Sequence, residues 1–507
     1  MMGKKERGEK LYYDFSLEDK VPQDHILRRI AEAVDFSFVH KIARPYYSHT
    51  GKPSVDPVVV LKMALIGYLY GISSERRLAS DLPLNLAWLW FLGYDIDEDT
   101  PDHSILSKAR ARFGPDLYRE FFCEVVRLCD KAGLVSGERV VVDSTVVPAN
   151  ASLETLVSRS IFEQLPPSDA FVDRLFVENE DAGEDDQADN HDEDERPPGE
   201  STSGESGKKD QDNQRKPVTS LKANERRVSR SDPDCSVVKR GKKKGVMLAY
   251  KVHVAVDGGE DRIITAIDAT AGETGDAQVF PSLIWRHVGA LNRFPEEAVA
   301  DTAYGTYDVY GFLKQTGISP SIPRKTSWGK KWLGLSSFRY DWERDVMICP
   351  EGNTLKREGA IRGSKGSVYR SARGSCEGCP IKSTCAKGDS RSVSFHQDDE
   401  VLIWAQAHLD TQEAKLALRK RKIWAETVMA DLKGQHNLGR AQFRGGWNME
   451  IQAYLSAAAH NLKKLARESR KVMAGAAALA PDFSEMGFDL LSRTCSFCQL
   501  AYCFRLS

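Results

Sequence analysis

The stretch ERVVVDSTVVPA, residues 138–149, decides the fold, because it combines an apolar strand pattern with one acidic side chain. β-Branched residues run from Val140 to Val147, and Pro148 ends the run, which is typical of a β-strand. Asp143 lies inside this run. We therefore expect residues 135–176 to form the first strand and the start of an α/β core, with Asp143 on that strand.

The pattern after residue 245 continues that core. YKVHVAVD (250–257) and RIITAIDAT (262–270) are β-rich and are separated by Gly258 and Gly259, which predicts a hairpin beside the first strand. A helix (DAQVFPSLIWRHVG), a short apolar run (AVADTAYGT), a second helix (YDVYGFLKQTG) and a strand (ISPSIP) follow. This alternation predicts an α/β core over 246–323, with Asp301 directly after a strand.

Residues 24–134 predict an all-α N-terminal domain. Pro57 opens the apolar helix VVVLKMALIGYLYG, which ends at Gly71. Thr100 is the expected N-cap of the helix PDHSILSKARARFG, with Pro101 at its first position. Basic side chains on this last helix suit either a DNA-reading helix-turn-helix or a bundle with a solvated basic face, and the sequence favours neither. They are Lys108, Arg110 and Arg112.

Two insertions and a tail complete the organisation. Residues 177–245 are acidic over 178–200 and basic at KRGKKKG (239–245), with too few apolar groups to fold alone, so we expect disorder in the absence of DNA or a partner. Residues 324–397 form a second, irregular insertion that holds four cysteines. Residues 398–470 are helical and carry Glu426, and 471–507 form a C-terminal tail.

Composition bounds the class of protein. The 507 residues are 41% hydrophobic, which is enough for several domains, each with its own core. The chain lacks a run of about 18 apolar residues and an apolar N-terminal leader, so we expect a cytoplasmic protein without a membrane partner. The net charge of −2 speaks against a uniformly basic DNA-binding surface, but outside the acidic tract the chain is basic.

Three carboxylates occupy settings that suit a two-metal site. Asp143 lies in a strand, Asp301 at the end of a neighbouring strand, and Glu426 on a packed helix. Carboxylate oxygens are preferred ligands of Mg²⁺ and Mn²⁺. Two such ions about 4 Å apart can activate a nucleophile, neutralise charge at phosphorus and assist the leaving oxygen. The sequence therefore predicts metal-dependent cutting and joining of phosphodiester bonds.

Cations share a face with the third carboxylate. At 3.6 residues per turn, Glu426 falls in one arc with Arg419, Lys422 and Lys433. These cations suit phosphate contacts to a DNA end, while an exposed helix with ion pairs is the simpler interpretation of the same pattern. Lys251, in a polar row beside the first strand, is a candidate DNA contact or the protective lysine of an edge strand.

The cysteines of the second insertion form one close pair with two outlying members, in CPEG and CEGCPIKSTC. Four thiolates suit a tetrahedral structural Zn²⁺ site that would organise an insert with little core. Free thiols in an ordered loop are the alternative. The residues are Cys349, Cys376, Cys379 and Cys385. In the tail, Cys495, Cys498 and Cys503 are better explained as buried apolar side chains.

Taken together, several motifs resemble the DDE transposases of bacterial insertion sequences, in particular the long group with a helical N-terminal domain and a cysteine-bearing insert. They are PDHS (101–104), VVVDSTVV (140–147), YKVHVAVD (250–257), ADTAYGT (300–306), and the Glu426 helix followed by HNLGRAQFRG and AAAHNLKKLAR.

The resemblance implies a ribonuclease-H-like mixed sheet flanked by helices. It also implies Asp143, Asp301 and Glu426 as the acidic triad, with Mg²⁺ or Mn²⁺ as cofactor. The expected partners are double-stranded DNA, both element ends and target, bound by a homo-oligomer at the bacterial nucleoid.

The chain departs from one signature of related enzymes. Their third-carboxylate helix carries Tyr, Arg, Glu and Lys; here Glu426 and Lys433 match, but Arg419 and Lys422 replace the Tyr and the Arg. This puts the phosphate-contact and strand-opening roles of those two positions in doubt, not the carboxylate. Two other functions stay open: a non-catalytic DNA-binding protein derived from a transposase, and a metal nuclease that cuts without joining.

Overall fold

The computed structural model describes residues 15–48, 50, 54–164, 223–239, 245–324, 333–334, 337–341, 343–360, 366–396 and 399–478. The acidic tract at 178–200 and the tail with Cys495, Cys498 and Cys503 lie outside these residues. Within them, no single helix has the length and apolar composition to cross a membrane, although two segments bent by 102°, Pro57–Tyr70 and Glu75–Leu84, would meet that test together.

The N-terminal region is helical. Its fourth helix has the predicted bounds: Asp56 caps it by accepting the N–H of Val58, and Gly71 ends it in the left-handed conformation at φ 69°. The helices are α1 (Leu17–Lys20), α2 (Ile26–Ala33), α3 (Phe38–Ala43), α4 (Pro57–Tyr70), α5 (Glu75–Asp81), α6 (Leu86–Leu92) and α7 (Ser104–Lys131).

The start of α7 corrects one expectation. The helix begins at Ser104 rather than at Pro101, and its N-cap residue is His103 instead of Thr100. The carboxylate of Asp102, just before the cap, accepts the Ser104 N–H at 2.7 Å. The helix also extends beyond the predicted end, to Lys131, across a kink at Gly114, whose φ of 57° and ψ of −168° suit glycine.

The core is a mixed α/β unit around one sheet in the order β6-β5-β1-β7-β8, with β4 also paired to β5. β1 and β6 run antiparallel to β5, which confirms the predicted hairpin, and β7 and β8 continue the sheet parallel to β1. The elements are β1 (Arg139–Pro148), β2 (Leu156–Ser158), α8 (Arg159–Gln164), α9 (Ala223–Arg226), β3 (Arg227–Ser229), β4 (Ser236–Lys239), β5 (Val246–Asp257), β6 (Ile264–Ala271), α10 (Asp276–Leu291), β7 (Glu297–Val299), α11 (Tyr307–Thr316) and β8 (Ser319–Ser321).

Part of the first insertion is ordered, contrary to the expectation of disorder across 177–245. Residues 223–239 contain α9, β3 and β4, and β4 pairs with β5 from Ser236 to Lys239. The side chain of Asn224 fixes β4 by bonding both the N–H and the carbonyl of Val237, at 2.8 and 3.2 Å. Pairing with a long core strand supplies the stability that the local composition lacks.

The second insertion is also more regular than expected. Instead of an irregular segment, it forms a five-stranded antiparallel sheet in the order β13-β12-β11-β10-β9. Alternating apolar residues, among them Met347, Leu355 and Tyr369, pack into a small core of their own. The elements are β9 (Arg339–Asp341), β10 (Val346–Ile348), β11 (Thr354–Ala360), β12 (Gly366–Ser371), α12 (Lys382–Cys385) and β13 (Ser392–His396).

Three further helices, α13 (Asp399–Leu409), α14 (Gln412–Gln435) and α15 (Gly446–Ala478), complete the layers around the core sheet. Val140 and Val142 of β1 belong to a core with residues of α10, α11 and α13. Val141 points the other way and packs against α14. α15 lies between the core sheet and the N-terminal helices in the largest core, so the two regions share apolar packing.

Candidate active site

Asp143, inside β1, lies beside Asp301, which comes just after the end of the neighbouring parallel strand β7. Val141 of β1 is in register with Val299 of β7, and each aspartate comes two residues later. Asp143 accepts the N–H of Ser144 at 2.9 Å, and Asp301 accepts the N–H of Ala303 at 2.8 Å, as cap of a short 3₁₀ turn. Local backbone bonds thus orient both carboxylates at the same edge of the sheet.

The pKa of Asp143 lies above its ordinary value. Burial is the largest cause, and the negative charges of Asp301 and Asp276 act in the same direction. The Ser144 N–H and the guanidinium of Arg421 oppose the shift. Asp143 is therefore surrounded by other carboxylates in a site that disfavours its own charge.

Arg421 on α14 is the cation nearest to this carboxylate. Its Nη1 lies 3.2 Å from Oδ2 of Asp143, and the two side chains are 19% and 18% exposed. The helix reaches this position because Trp424 and Ala425 pack against Val141 and Val299. An apolar contact between α14 and the sheet therefore places one charged side chain over the strand aspartate.

Glu426 lies on the same helix, exposed to solvent. It follows Arg421 by five residues and so points about 140° away around the helix. Lys433 lies two turns further on and shares the direction of Glu426; its Nζ donates to the carbonyl of Val146 on β1 at 3.2 Å. Arg419 and Lys422 are exposed near the same face. On this face Lys433 contacts the strand that bears Asp143, while Glu426 itself is exposed.

Asp276 is a fourth acidic residue of this region, and sequence analysis missed it. It opens α10, and its Oδ1 accepts the hydroxyl of Ser144 at 2.6 Å. Lys251 Nζ lies 3.4 Å from the same oxygen and donates to the carbonyl of Thr274 at 2.8 Å. The available signal was an acidic residue at the start of a helix that follows the hairpin, which alone is a common capping pattern.

Two buried side chains border this acidic region. The pKa of Tyr304 is raised well above its ordinary value by burial and by the charges of Asp276 and Asp143. Burial lowers the pKa of His253 to about 4, so the ring is neutral, and its Nδ1 lies 3.7 Å from Asp276. The aspartates are therefore bordered by buried side chains, while they remain partly exposed themselves.

The three basic residues predicted on α7 have different surroundings. Lys108 and Arg112 are exposed, and Arg112 lies over the ring of Tyr47. Arg110 points inward: its guanidinium pairs with both carboxylate oxygens of Glu75 and lies 3.7 Å from the ring centre of Phe443.

The four cysteines of the second insertion come together. Cys349, Cys376, Cys379 and Cys385 line a single cavity and are free thiols. Cys123, Cys129 and Cys235 are also free and do not line that cavity.

A cluster that sequence analysis did not single out joins α14 to α15. Asp431 Oδ2 lies 2.6 Å from Nδ1 of His460 and 3.6 Å from Nε2 of His436. The three ligand atoms lie within 4.8 Å of one another, so the group has the spacing of a metal site. His436 Nδ1 faces the carbonyl of Tyr68 on α4 at 2.9 Å, so the cluster also links the core to the N-terminal helices. Its residues lie 5 and 24 positions apart and form no metal-ligand motif, because they meet only where α14 packs against α15.

Comparison with known proteins supplies two family matches. Residues 15–112 match a family described as a transposase domain (DUF772), and residues 348–466 match a family described as a transposase DDE domain. No curated protein matches the chain.

Among solved structures, the chain is similar to the cryo-EM structure of a piggyBac transposase synaptic complex with hairpin DNA. The identity is 8%, the TM-score 0.34, and the match covers 90% of this chain and 75% of that one. A likeness at this level supports no conclusion about the fold. The two family matches, in contrast, both describe transposase domains and lie on one chain in the order that the motifs predicted, which is consistent with a DDE transposase of an insertion sequence.

Proposed function

We propose that this protein binds the ends of its own insertion sequence and catalyses metal-dependent cleavage and strand transfer of DNA. The observation that carries the proposal is the pairing of Asp143 with Asp301, which both come two residues after the last paired residues of the parallel strands β1 and β7. Glu426, on the helix that covers this strand, is the proposed third carboxylate. The mixed sheet, with antiparallel β6, β5 and β1, parallel β7 and β8, and helices on both faces, supports a ribonuclease-H-like core.

The acidic residues fit divalent cations. Asp143 is disfavoured as an anion by burial and by Asp301 and Asp276, and a cation bound between the carboxylates would relieve that repulsion. Asp143, Asp301 and Glu426 would hold Mg²⁺ or Mn²⁺ through oxygen, the ligand atom these ions prefer. When bound, the ions supply charge neutralisation at phosphorus and an activated oxygen nucleophile.

The remaining residues position the acidic site and the DNA. Arg421 holds Asp143, and the Ser144 hydroxyl ties β1 to Asp276. Arg419, Lys422 and Lys433, on the face of Glu426, are the proposed contacts to DNA phosphates, because cationic side chains supply most of the affinity for DNA. Lys108 and Arg112 are proposed contacts of the N-terminal helices. Lys251, which pairs with Asp276, is better placed to orient the acidic site than to bind DNA.

The test uses the purified full-length protein, Mg²⁺ or Mn²⁺, and a labelled DNA fragment with the end of its own element. We expect nicking and joining by the wild type and loss of both in Asp143→Asn, Asp301→Asn and Glu426→Gln, with end binding retained. Asp308→Asn and Glu413→Gln change exposed carboxylates on α11 and α14 and should remain active.

Three outcomes would argue against the proposal. Normal cleavage by a triad variant would refute the assigned residues. Binding without cleavage by the wild type would identify a non-catalytic DNA-binding protein, and cleavage without joined products would identify a nuclease. The mass of the protein–DNA complex tests the proposed homo-oligomer.

A further inference from the structure

The cavity in the second insertion gathers four thiols from separate parts of that sheet. Cys349 follows β10, Cys376 and Cys379 lie between β12 and α12, and Cys385 ends α12. The cavity measures about 10 Å³, close to the space of one water-sized sphere. Folding therefore arranges four soft ligands around a space of atomic size.

We propose that Cys349, Cys376, Cys379 and Cys385 bind one structural Zn²⁺ ion that closes the five-stranded sheet of residues 339–396. Four thiolates fill a tetrahedral coordination sphere and leave no open position for water or substrate. The ion is therefore separate from the proposed catalytic metals, which require oxygen ligands, and its role is to hold the insertion together.

The surroundings of the thiols suit thiolate ligands. The N–H of Asn353 donates to Sγ of Cys349 at 3.2 Å, and the hydroxyl of Ser371 lies 3.8 Å from Sγ of Cys376. Hydrogen bonds of this kind orient the side-chain atoms that bind a metal. Lys382 and Arg391 also line the cavity, and their two positive charges match the net charge of −2 that four thiolates and one Zn²⁺ carry.

Binding exchanges protons for the metal. Burial raises the pKa of Cys385, and the other three thiols of the cluster raise it further, while Arg391 opposes the shift. Zn²⁺ binds thiolates, so each thiol that carries a proton gives it up as its Zn–S bond forms. The thiols must also draw inward to about 2.3 Å from the ion. Among the described residues, the group whose ligand atoms already lie within 4.8 Å of one another is that of Asp431, His436 and His460 and not the four thiols.

The insertion needs such a closure because its own core is small. Seven buried residues form it, namely Phe338, Met347, Leu355, Tyr369, Cys385, Val393 and Phe395. Sheets of this size usually depend on a disulfide, a metal or a partner. All four cysteines are free, so the metal is the closure that their placement supports.

The experiment measures zinc in the full-length protein purified without chelators. We expect about one zinc per chain in the wild type and in Cys123→Ser, which changes a half-buried thiol on α7 outside the cluster. Cys379→Ser should lower the zinc content severalfold, and Cys376→Ser/Cys379→Ser should abolish it. Glu426→Gln should retain zinc, so the result does not depend on the proposed catalytic function.

Two measurements on the wild type keep the proposal falsifiable if the cysteine variants fail to fold. A mercurial reagent should release zinc in proportion to thiol modification, and Co²⁺ exchanged into the protein should show thiolate charge-transfer bands and the visible bands of tetrahedral cobalt. A wild-type protein without zinc that also fails to bind added Zn²⁺ or Co²⁺ would overturn the proposal. Full zinc content in the double variant would do the same.

Discussion

Replacing Asn461 by leucine tests how α15 holds the edge of the core sheet. Asn461 is fully buried, and its side chain bonds both backbone groups of Ile264 on β6: Oδ1 accepts the Ile264 N–H at 3.0 Å, and Nδ2 donates to the Ile264 carbonyl at 2.8 Å. These groups point away from β5, so the side chain of a helix residue replaces the neighbouring strand that β6 lacks at this point.

The expected cost follows from counting the groups left unpaired. Leucine has a similar volume but cannot bond, so one buried N–H and one buried C=O lose their partner. Each costs about 1–3 kcal/mol, which gives about 2–6 kcal/mol for Asn461→Leu. Asn448→Leu is the control, because Asn448 bonds the carbonyl of Arg444 within one turn at the exposed start of α15. It should cost less than about 1 kcal/mol.

Two assays check this prediction. Urea unfolding gives the loss of stability, measured as the difference in unfolding midpoint between the two variants at unchanged slope. Hydrogen exchange gives the location: the amide of Ile264 should lose protection at least fivefold, while amides in β1 should change less. Similar midpoints for the two variants, with unchanged exchange at Ile264, would show that the Asn461 bonds do not stabilise the edge.

Three other predictions concern charge. The hydrogen bond from His460 lowers the pKa of Asp431 from 3.8 to about 2, so the pair stabilises the fold above pH 3.8 and loses that contribution as the pH falls towards 2. Asp431→Asn should remove this part of the pH dependence of unfolding, on the order of 1 kcal/mol after solvent screening. An unchanged pH dependence would contradict this prediction. Asp276→Asn removes a negative charge that raises the pKa of Asp143, so the acid limb of the cleavage rate should move to lower pH; a shift to higher pH would exclude this coupling. Lys108→Ala and Arg112→Ala should each weaken binding to the element end and reduce its salt dependence by about one phosphate contact. Arg110→Ala breaks the pair with Glu75 and should mainly lower the melting temperature. The reverse pattern would show that Arg110 is the DNA contact.

Local patterns predicted the elements that define the core. The alternation in β1, the paired glycines before β6 and the cap and stop signals of α4 each act over a few residues, and all three elements formed where expected. The adjacency of Asp143 and Asp301 followed from the same logic, because Asp143 was expected inside a strand and Asp301 at the end of a neighbouring one. What the sequence could not provide was the environment of the carboxylates. Arg421 reaches Asp143 across 278 positions of sequence, through packing of α14 that no local pattern encodes.

β4 and the sheet of the second insertion were not predicted, because neither has a strong local sequence pattern. β4 is four residues long and has little strand signal of its own, since its order comes from pairing with β5, the long strand that follows it. In the second insertion, glycine, serine and arginine outnumber the few apolar residues, so the sequence resembles a loop. The sheet forms because those few residues, such as Leu355 and Tyr369, fall on one face.

Apolar packing of Trp424, Ala425 and Leu432 sets the position of α14, and two polar contacts flank Glu426 on that helix. Arg421 fixes α14 to Asp143 on one side, and Lys433 fixes it to Val146 on the other, about 18 Å further along the helix. Asp143 and Asp301 are set by the register of a buried sheet, which a surface contact cannot shift. Because Arg421 pairs with the carboxylate that the metal would bind, cation binding at Asp143 would compete with one of the two polar contacts, while the packing of Trp424 and Ala425 on the sheet would keep α14 in place.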